Sequence, residues 1–208
     1  MSFYPVNAPV PDILRTNEML IRPLRASDVM LDYDAVISSR AELWLRSGGT
    51  WPREGFTIEE NLADLQQHER EHQERLAFTY TIMNPNETEC LGCIYITPLA
   101  QRLERAAASL EQNPEARAFL QSAAQISASD AVVTFWVRQS RLADNLDLRL
   151  LQALTNWFHT SWSFSRVTFL AQNAQQRQLR LFEQLGMSLC YTLPNAKIYT
   201  LTEQRSNE

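Results

Sequence analysis

His68, Glu69 and His72 are spaced H-E-x-x-H. On a helix this pattern turns two imidazoles to one side, where they can share a metal, with a carboxylate between them to activate water. The only other histidine is His159, and no downstream ligand pattern follows, so no metal is expected. A ligand pocket beside that helix is the more natural use of the pair. Cys90 and Cys93 form a single C-x-x-C inside an apolar, β-branched run. Residues three apart in a regular strand point to opposite faces, so these are expected to be buried structural thiols rather than a metal or redox pair. Trp51, Arg53 and Phe56 stand in a loop containing Pro52 and Gly55, which reads equally as a segment carrying binding groups on rigid elements and as an aromatic loop that covers the core.

The chain has 208 residues, 45% hydrophobic and 21% charged, the balance of a soluble globular domain. A net charge of -5 offers no general attraction to phosphate backbones or anionic lipid, so neither nucleic acid nor membrane is expected as a partner. Lys197 is the only lysine; all other basic side chains apart from histidine are arginine. Three cysteines do not make a disulfide framework. No signal pattern or apolar spanning run is visible at the N-terminus, so a cytoplasmic location is expected.

Residues 1–18, with prolines at 5, 9 and 11, read as an N-terminal arm, and 19–208 as one domain. Met19 to Leu24 suggests a first strand near a sheet edge. Val29 to Leu45 suggests a helix stopped by Gly48 and Gly49. Thr57 followed by Glu60 is a capping box opening a second helix, whose stripe runs through Ile58, Leu62, Leu65 and Leu76. Phe78–Met83 and Cys90–Thr97 read as a hairpin around Asn84, Pro85 and Asn86. An alanine-rich insertion, about 100–129, is expected to be helical. A strand follows over Ala131–Val137, then a helix over Leu146–Trp162 carrying Leu150, Leu151, Leu154, Trp157 and Phe158. Further on are a strand at Val167–Leu170, a helix at Gln175–Gln184 and two last strands.

This order, with Ile21, Arg22 and Pro23 at the first strand, Leu150 and Leu151 at fixed distance after Val137, and Gly186 and Met187 after the last helix, resembles the GCN5-related N-acetyltransferase (GNAT) superfamily over roughly residues 19–202. The resemblance implies an α/β acyl-CoA N-acyltransferase-like fold, with a mixed central sheet of about six to seven strands flanked by helices and the insertion between strands three and four. It further implies acetyl-CoA or another acyl-CoA as substrate, no metal, and a small-molecule or peptide amine as acceptor, with a homodimer left open. Cofactor contacts would fall on Phe135 and Val137 of the strand, on Arg141, Leu142, Ala143, Asn145 and Asp147 of the phosphate loop, and on Asn173. Trp51, Arg53, Phe56 and His72 would face the acceptor, and Asp130 is the nearest carboxylate to the strand for a catalytic base.

The loop departs from the family pattern. Where it carries three glycines, this chain has Ala143, Asn145 and Asp147, and Phe182 stands where tyrosine often acts as acid. Asp144 and Asp147 would add like charge to a pyrophosphate if they faced it, and Arg138, Arg141 and Arg149 could offset this; the sequence does not set which way they point. An inactive GNAT-fold ligand-binding or interaction module is the alternative.

Overall fold

The computed structural model describes residues 3–108 and 126–201. An eight-stranded sheet runs in the order β1-β2-β3-β4-β5-β6-β8-β7. Its strands are β1 (Leu14–Arg15), β2 (Leu20–Pro23), β3 (Phe78–Met83), β4 (Cys90–Pro98), β5 (Asp130–Val137), β6 (Arg166–Gln172), β7 (Ser188–Thr192) and β8 (Ala196–Thr200). Only β5 and β6 pair in parallel; the other neighbours are antiparallel. The sheet exceeds the expected six to seven strands because the N-terminal arm adds β1, two residues paired to Leu20 and Ile21. The arm also packs inward. Phe3 and Tyr4 are buried, and the Tyr4 hydroxyl accepts from the Ser163 N–H at 3.1 Å.

Period-two alternation divides β5 between the two faces of the sheet. Ala131, Val133, Phe135 and Val137 share a core with α5 (Leu146–Ser161) and α6 (Gln176–Gln184). Leu150, Leu151 and Leu154, one stripe of α5, are fully buried there, each contributing about 2 kcal/mol. Val132 faces the other way and packs under α4 (Leu99–Ala108) with Leu103 and Leu170. Trp136 lies under α1 (Val29–Ser38) and α3 (Ile58–Gln73), beside Val36 and Leu65.

Two helical expectations are corrected. The single helix expected over Val29–Leu45 breaks at Ser39 (φ -112°, ψ 16°) into α1 and α2 (Arg40–Arg46). Ser39 is buried, and its hydroxyl accepts from the Gln139 N–H at 3.0 Å. This tethers the break to the turn after β5 and aims the end of α2 at that strand. Leu76, expected on the α3 stripe, lies beyond the helix and is exposed. The capping box at its start forms as expected. Thr57 Oγ1 accepts from the Glu60 N–H at 3.3 Å, and Glu60 Oε2 accepts from the Thr57 N–H at 2.9 Å. Of the expected insertion, α4 lies among the described residues and 109–125 lie outside them.

Candidate functional site

The parallel ladder between β5 and β6 ends at Val133 and Phe169. Both strands continue, β5 along β4 to Val137 and β6 along β8 to Gln172, so a gap opens between them. Main-chain polar groups inside a fold require partners, and here side chains supply them. The Gln172 N–H donates to Gln175 Oε1 at 2.9 Å, Gln175 Nε2 to Gln178 Oε1 at 2.8 Å, and Gln178 Nε2 to the Phe135 carbonyl at 3.4 Å. Gln175 and Gln178 are buried. Two side-chain amides thus bridge the parted strands. Arg46, at the end of α2, also donates from Nε to the Phe135 carbonyl, at 3.3 Å. The space left beside Phe135, Val137 and Leu142 is about 30 Å³.

The turn from β5 into α5 carries the residues expected to hold a phosphate. Asn145 stands at the middle of the three positions where the resembled pattern has glycine, and it has a left-handed backbone (φ 55°). Asparagine visits that region more readily than most residues, so the turn keeps its shape without glycine. Asp147 is buried, and its carboxylate is engaged by Arg177, Nε at 2.6 Å and Nη2 at 2.9 Å. The same guanidinium donates to the Leu142 carbonyl at 2.9 Å and to Asn145 Oδ1 at 3.0 Å. Hydrogen bonding to Asp147 raises the Arg177 pKa. Arg177, absent from the sequence-based expectation, organises the whole turn.

The arginines expected to offset the acidic residues also face carboxylates. Arg138 is paired with Asp34, and Arg141 Nε lies 3.6 Å from Asp144; Arg149 Nε meets Glu18 at 2.5 Å. Ala143 is exposed in the turn. Asn173 lies outside the gap, its Nδ2 donating to the Pro194 carbonyl at 3.2 Å in the β7–β8 turn.

On the opposite face, Trp51, Asp64, His68 and Tyr95 line a cavity of about 400 Å³ that reaches Arg46. Burial raises the Asp64 pKa and pushes the Tyr95 phenol well up. Of the residues expected at an acceptor pocket, Trp51 is here, and the histidine that lines it is His68 rather than His72. His72 packs at ring distances of 5.2 and 5.1 Å from Phe78 and Tyr80, and its Nδ1 donates to the Thr79 carbonyl at 3.2 Å. Phe56 is buried against Trp51. Arg53 is exposed on Glu60, Nε to Oε1 at 3.2 Å. Asp130 sits at the closed end of the β5–β6 pair, ion-paired with Arg166 at 2.5 Å. That position separates it from the gap and gives it a structural partner.

Cys90 and Cys93 are buried free thiols, as expected, but they do not face opposite ways. A register shift opposite Ile82 and Met83 puts Cys90 and Cys93 on one side, where Asp32 Oδ1 accepts from Cys93 Sγ at 3.4 Å and lies 3.9 Å from Cys90 Sγ. Gly92 makes the irregularity feasible: its φ is 146°, and a Cβ there would lie 2.0 Å from the Trp136 carbonyl oxygen. Asp32 also accepts from Asn61 Nδ2 at 2.9 Å. Burial raises its pKa.

The sequence matches no family model and no curated protein. Solved structures match across nearly the whole chain. RimL, a ribosomal-protein alpha-N-acetyltransferase solved with coenzyme A, is 15% identical with a TM-score of 0.65, covering 91% of this chain and 97% of its own. RimJ from Mycobacterium smegmatis, solved with CoA-disulfide, is 10% identical at 0.64, covering 94% and 89%. MccE, a microcin self-immunity acetyltransferase solved with acetyl-CoA and AMP, is 10% identical at 0.63, covering 90% and 93%.

Proposed function

We propose that this chain, whose fold is that of the GNAT N-acetyltransferases, is an acyl-CoA-dependent N-acyltransferase acting on an amine acceptor. The observation that carries the reading is the gap itself. The β5–β6 ladder parts at Val133 and Phe169, next to the N-terminus of α5, where main-chain N–H groups and the helix dipole favour an anion. Pantetheine amides in this gap would replace the Gln175 and Gln178 amides on the strands. The thioester would then face Arg46 and the cavities on the α1–α4 side.

In the reaction the amine nitrogen attacks the thioester carbonyl carbon, the C–S bond breaks, CoA leaves as thiolate, and the amine proton passes to a base. Of the titratable groups lining the cavity next to Arg46, Asp32 is buried on Asn61 and Cys93 and the Tyr95 phenol is pushed well up. That leaves Asp64, whose raised pKa brings it closer to the working range of a base, and His68 as the candidate bases. Phe182 is buried and has no proton to give to the thiolate.

A second reading, a non-catalytic ligand-binding module, is favoured by the filled groove, since Arg177–Asp147 and the two glutamines stand where phosphate and pantetheine would have to go. Titration calorimetry with acetyl-CoA separates the two. Saturable binding is expected, strengthened about tenfold in Asp147→Asn, which frees Arg177 for the pyrophosphate. No heat from either protein, both folded, overturns the acyltransferase reading and leaves the module.

A further inference from the structure

Between α2, α4 and the open ends of β5 and β6 lies a cavity of about 280 Å³, near the lower bound of small-molecule sites. Its floor is apolar, from Val132 and Leu170, and Thr134 and Gln172 add polar groups. Three arginines surround it: Arg46 at the inner end, half-buried Arg102, and exposed Arg105 at the rim. No carboxylate among the described residues lines this cavity. Among the described residues, none of the three guanidinium groups has a carboxylate within 4.0 Å. Arg46 meets, among the described residues, the Phe135 carbonyl and the face of Tyr95, 5.3 Å from the ring centroid. A wider cavity of about 650 Å³ shares Arg102 and Arg105 and continues to the β7–β8 turn at Leu193 and Asn195.

Gathering like charges in a partly dry cleft is unfavourable unless an anion completes it. Burial lowers the pKa of both Arg46 and Arg102; Arg105 adds to the lowering at Arg102, whereas at Arg46 Tyr95 and Cys93 partly offset it and Arg102 adds the smallest contribution. A cleft lined by one sign of charge concentrates the opposite sign, and guanidinium forks match the paired oxygens of carboxylate and phosphate. We propose that this cavity binds a small ligand through its carboxylate or phosphate group, held by Arg46, Arg102 and Arg105. The site stands without any assumption about acyl transfer. Where that activity is present, the ligand is the acceptor, and its anionic end sits on the far side of Arg46 from Asp64 and His68.

The test is titration calorimetry at low salt with inorganic phosphate, glutamate and O-phosphoethanolamine, and glycerol as the uncharged control. Saturable heat is expected from at least one anion and none from glycerol. The preference between phosphate and carboxylate probes identifies the group recognised. The double variant Arg102→Gln/Arg105→Gln should weaken that binding about tenfold or more. It should fold, because Leu99, Leu103 and Ala107, not the arginines, bury the face of α4. Arg46→Lys, which keeps the charge but loses the fork, should weaken it severalfold, whereas Arg149→Gln on the other face should leave it unchanged. Absence of saturable heat from every anion with folded protein overturns the proposal, as does undiminished affinity in the double variant. If acetyl-CoA alone loses affinity in that variant, the cavity serves a cofactor phosphate and the proposal also falls. Failure of acetyl-CoA to bind, with the small anions still bound, overturns the acyltransferase reading only.

Discussion

Arginines flank the β5–β6 gap on both sides, and the two sets are in opposite states. At the α5 end, Arg138, Arg141, Arg149 and Arg177 all face carboxylates of the same chain. Across the gap Arg46, Arg102 and Arg105 line cavities with no such partner among the described residues. A guanidinium already held by a carboxylate has its charge and geometry committed to the fold, whereas one left facing space keeps both for a ligand. On this criterion the end resembling a phosphate loop is the more structural one. The proposed small-anion site lies on the α2–α4 side, where no motif announced it.

The sharpest way to break this contrast is Arg177→Ala. It strips the buried Asp147 of its ion partner and leaves the carboxylate with the Leu148 N–H, at 3.0 Å. The Arg177 side chain is 41% exposed, so solvent screening cuts the cost of breaking the pair below that of a fully buried one, to about 1–2 kcal/mol, and the melting temperature should fall by roughly 2–8 °C. Chemical denaturation measures the change directly. A loss below about 0.5 kcal/mol would mean that the pair behaves as a surface contact, and the contrast between the two sides would disappear.

Much of the frame was legible because local signals and packing agree. Leu150, Leu151 and Leu154 at helical spacing could bury only one stripe, and the Thr57–Glu60 box marked the start of α3 to the residue. The site was less legible for identifiable reasons. Alternation in β4 assumed a regular strand, whereas the irregularity at Gly92 carries Cys90 and Cys93 to one side. The glycine count in the phosphate turn overlooked Asn145, which takes a left-handed backbone. Gln175 and Gln178 have no meaning until the strands are known to part beside them, and Arg46 points at Phe135 only because the helix breaks at Ser39. Composition gave the arginine content but could not say which guanidinium groups would meet a carboxylate.

The same distinction between committed and available groups separates two histidines. His68 lines a cavity, whereas His72 is packed between Phe78 and Tyr80, and burial lowers its pKa below 6.5. A depressed histidine pKa means that the unfolded chain takes up the proton first. Stability is therefore full above about pH 6.5 and declines as pH falls through the folded-state value. Wild type should lose stability through this group as pH falls below about 6.5, read by chemical denaturation across that range. His72→Gln, which retains a donor for the Thr79 carbonyl, should lose correspondingly less. Identical pH profiles for the two proteins would show that His72 is not committed to the core.

The smallest expected effect is the most discriminating, because its sign is opposite to that of Arg177→Ala. Arg102 and Arg105 are three residues apart on α4, where like charges repel by roughly 0.2–0.5 kcal/mol. Neither has a carboxylate within 4.0 Å among the described residues that would be lost with it. Without added anion, Arg102→Gln/Arg105→Gln should therefore unfold at the same temperature as wild type or about a degree higher. Phosphate should reverse the order: a ligand that binds only the folded state raises the melting temperature of the protein that binds it, and the variant has lost the site. Thermal scans with and without phosphate read both effects. A variant that melts well below wild type in the absence of anions would show that these arginines, like Arg177, are part of the fold's own structure.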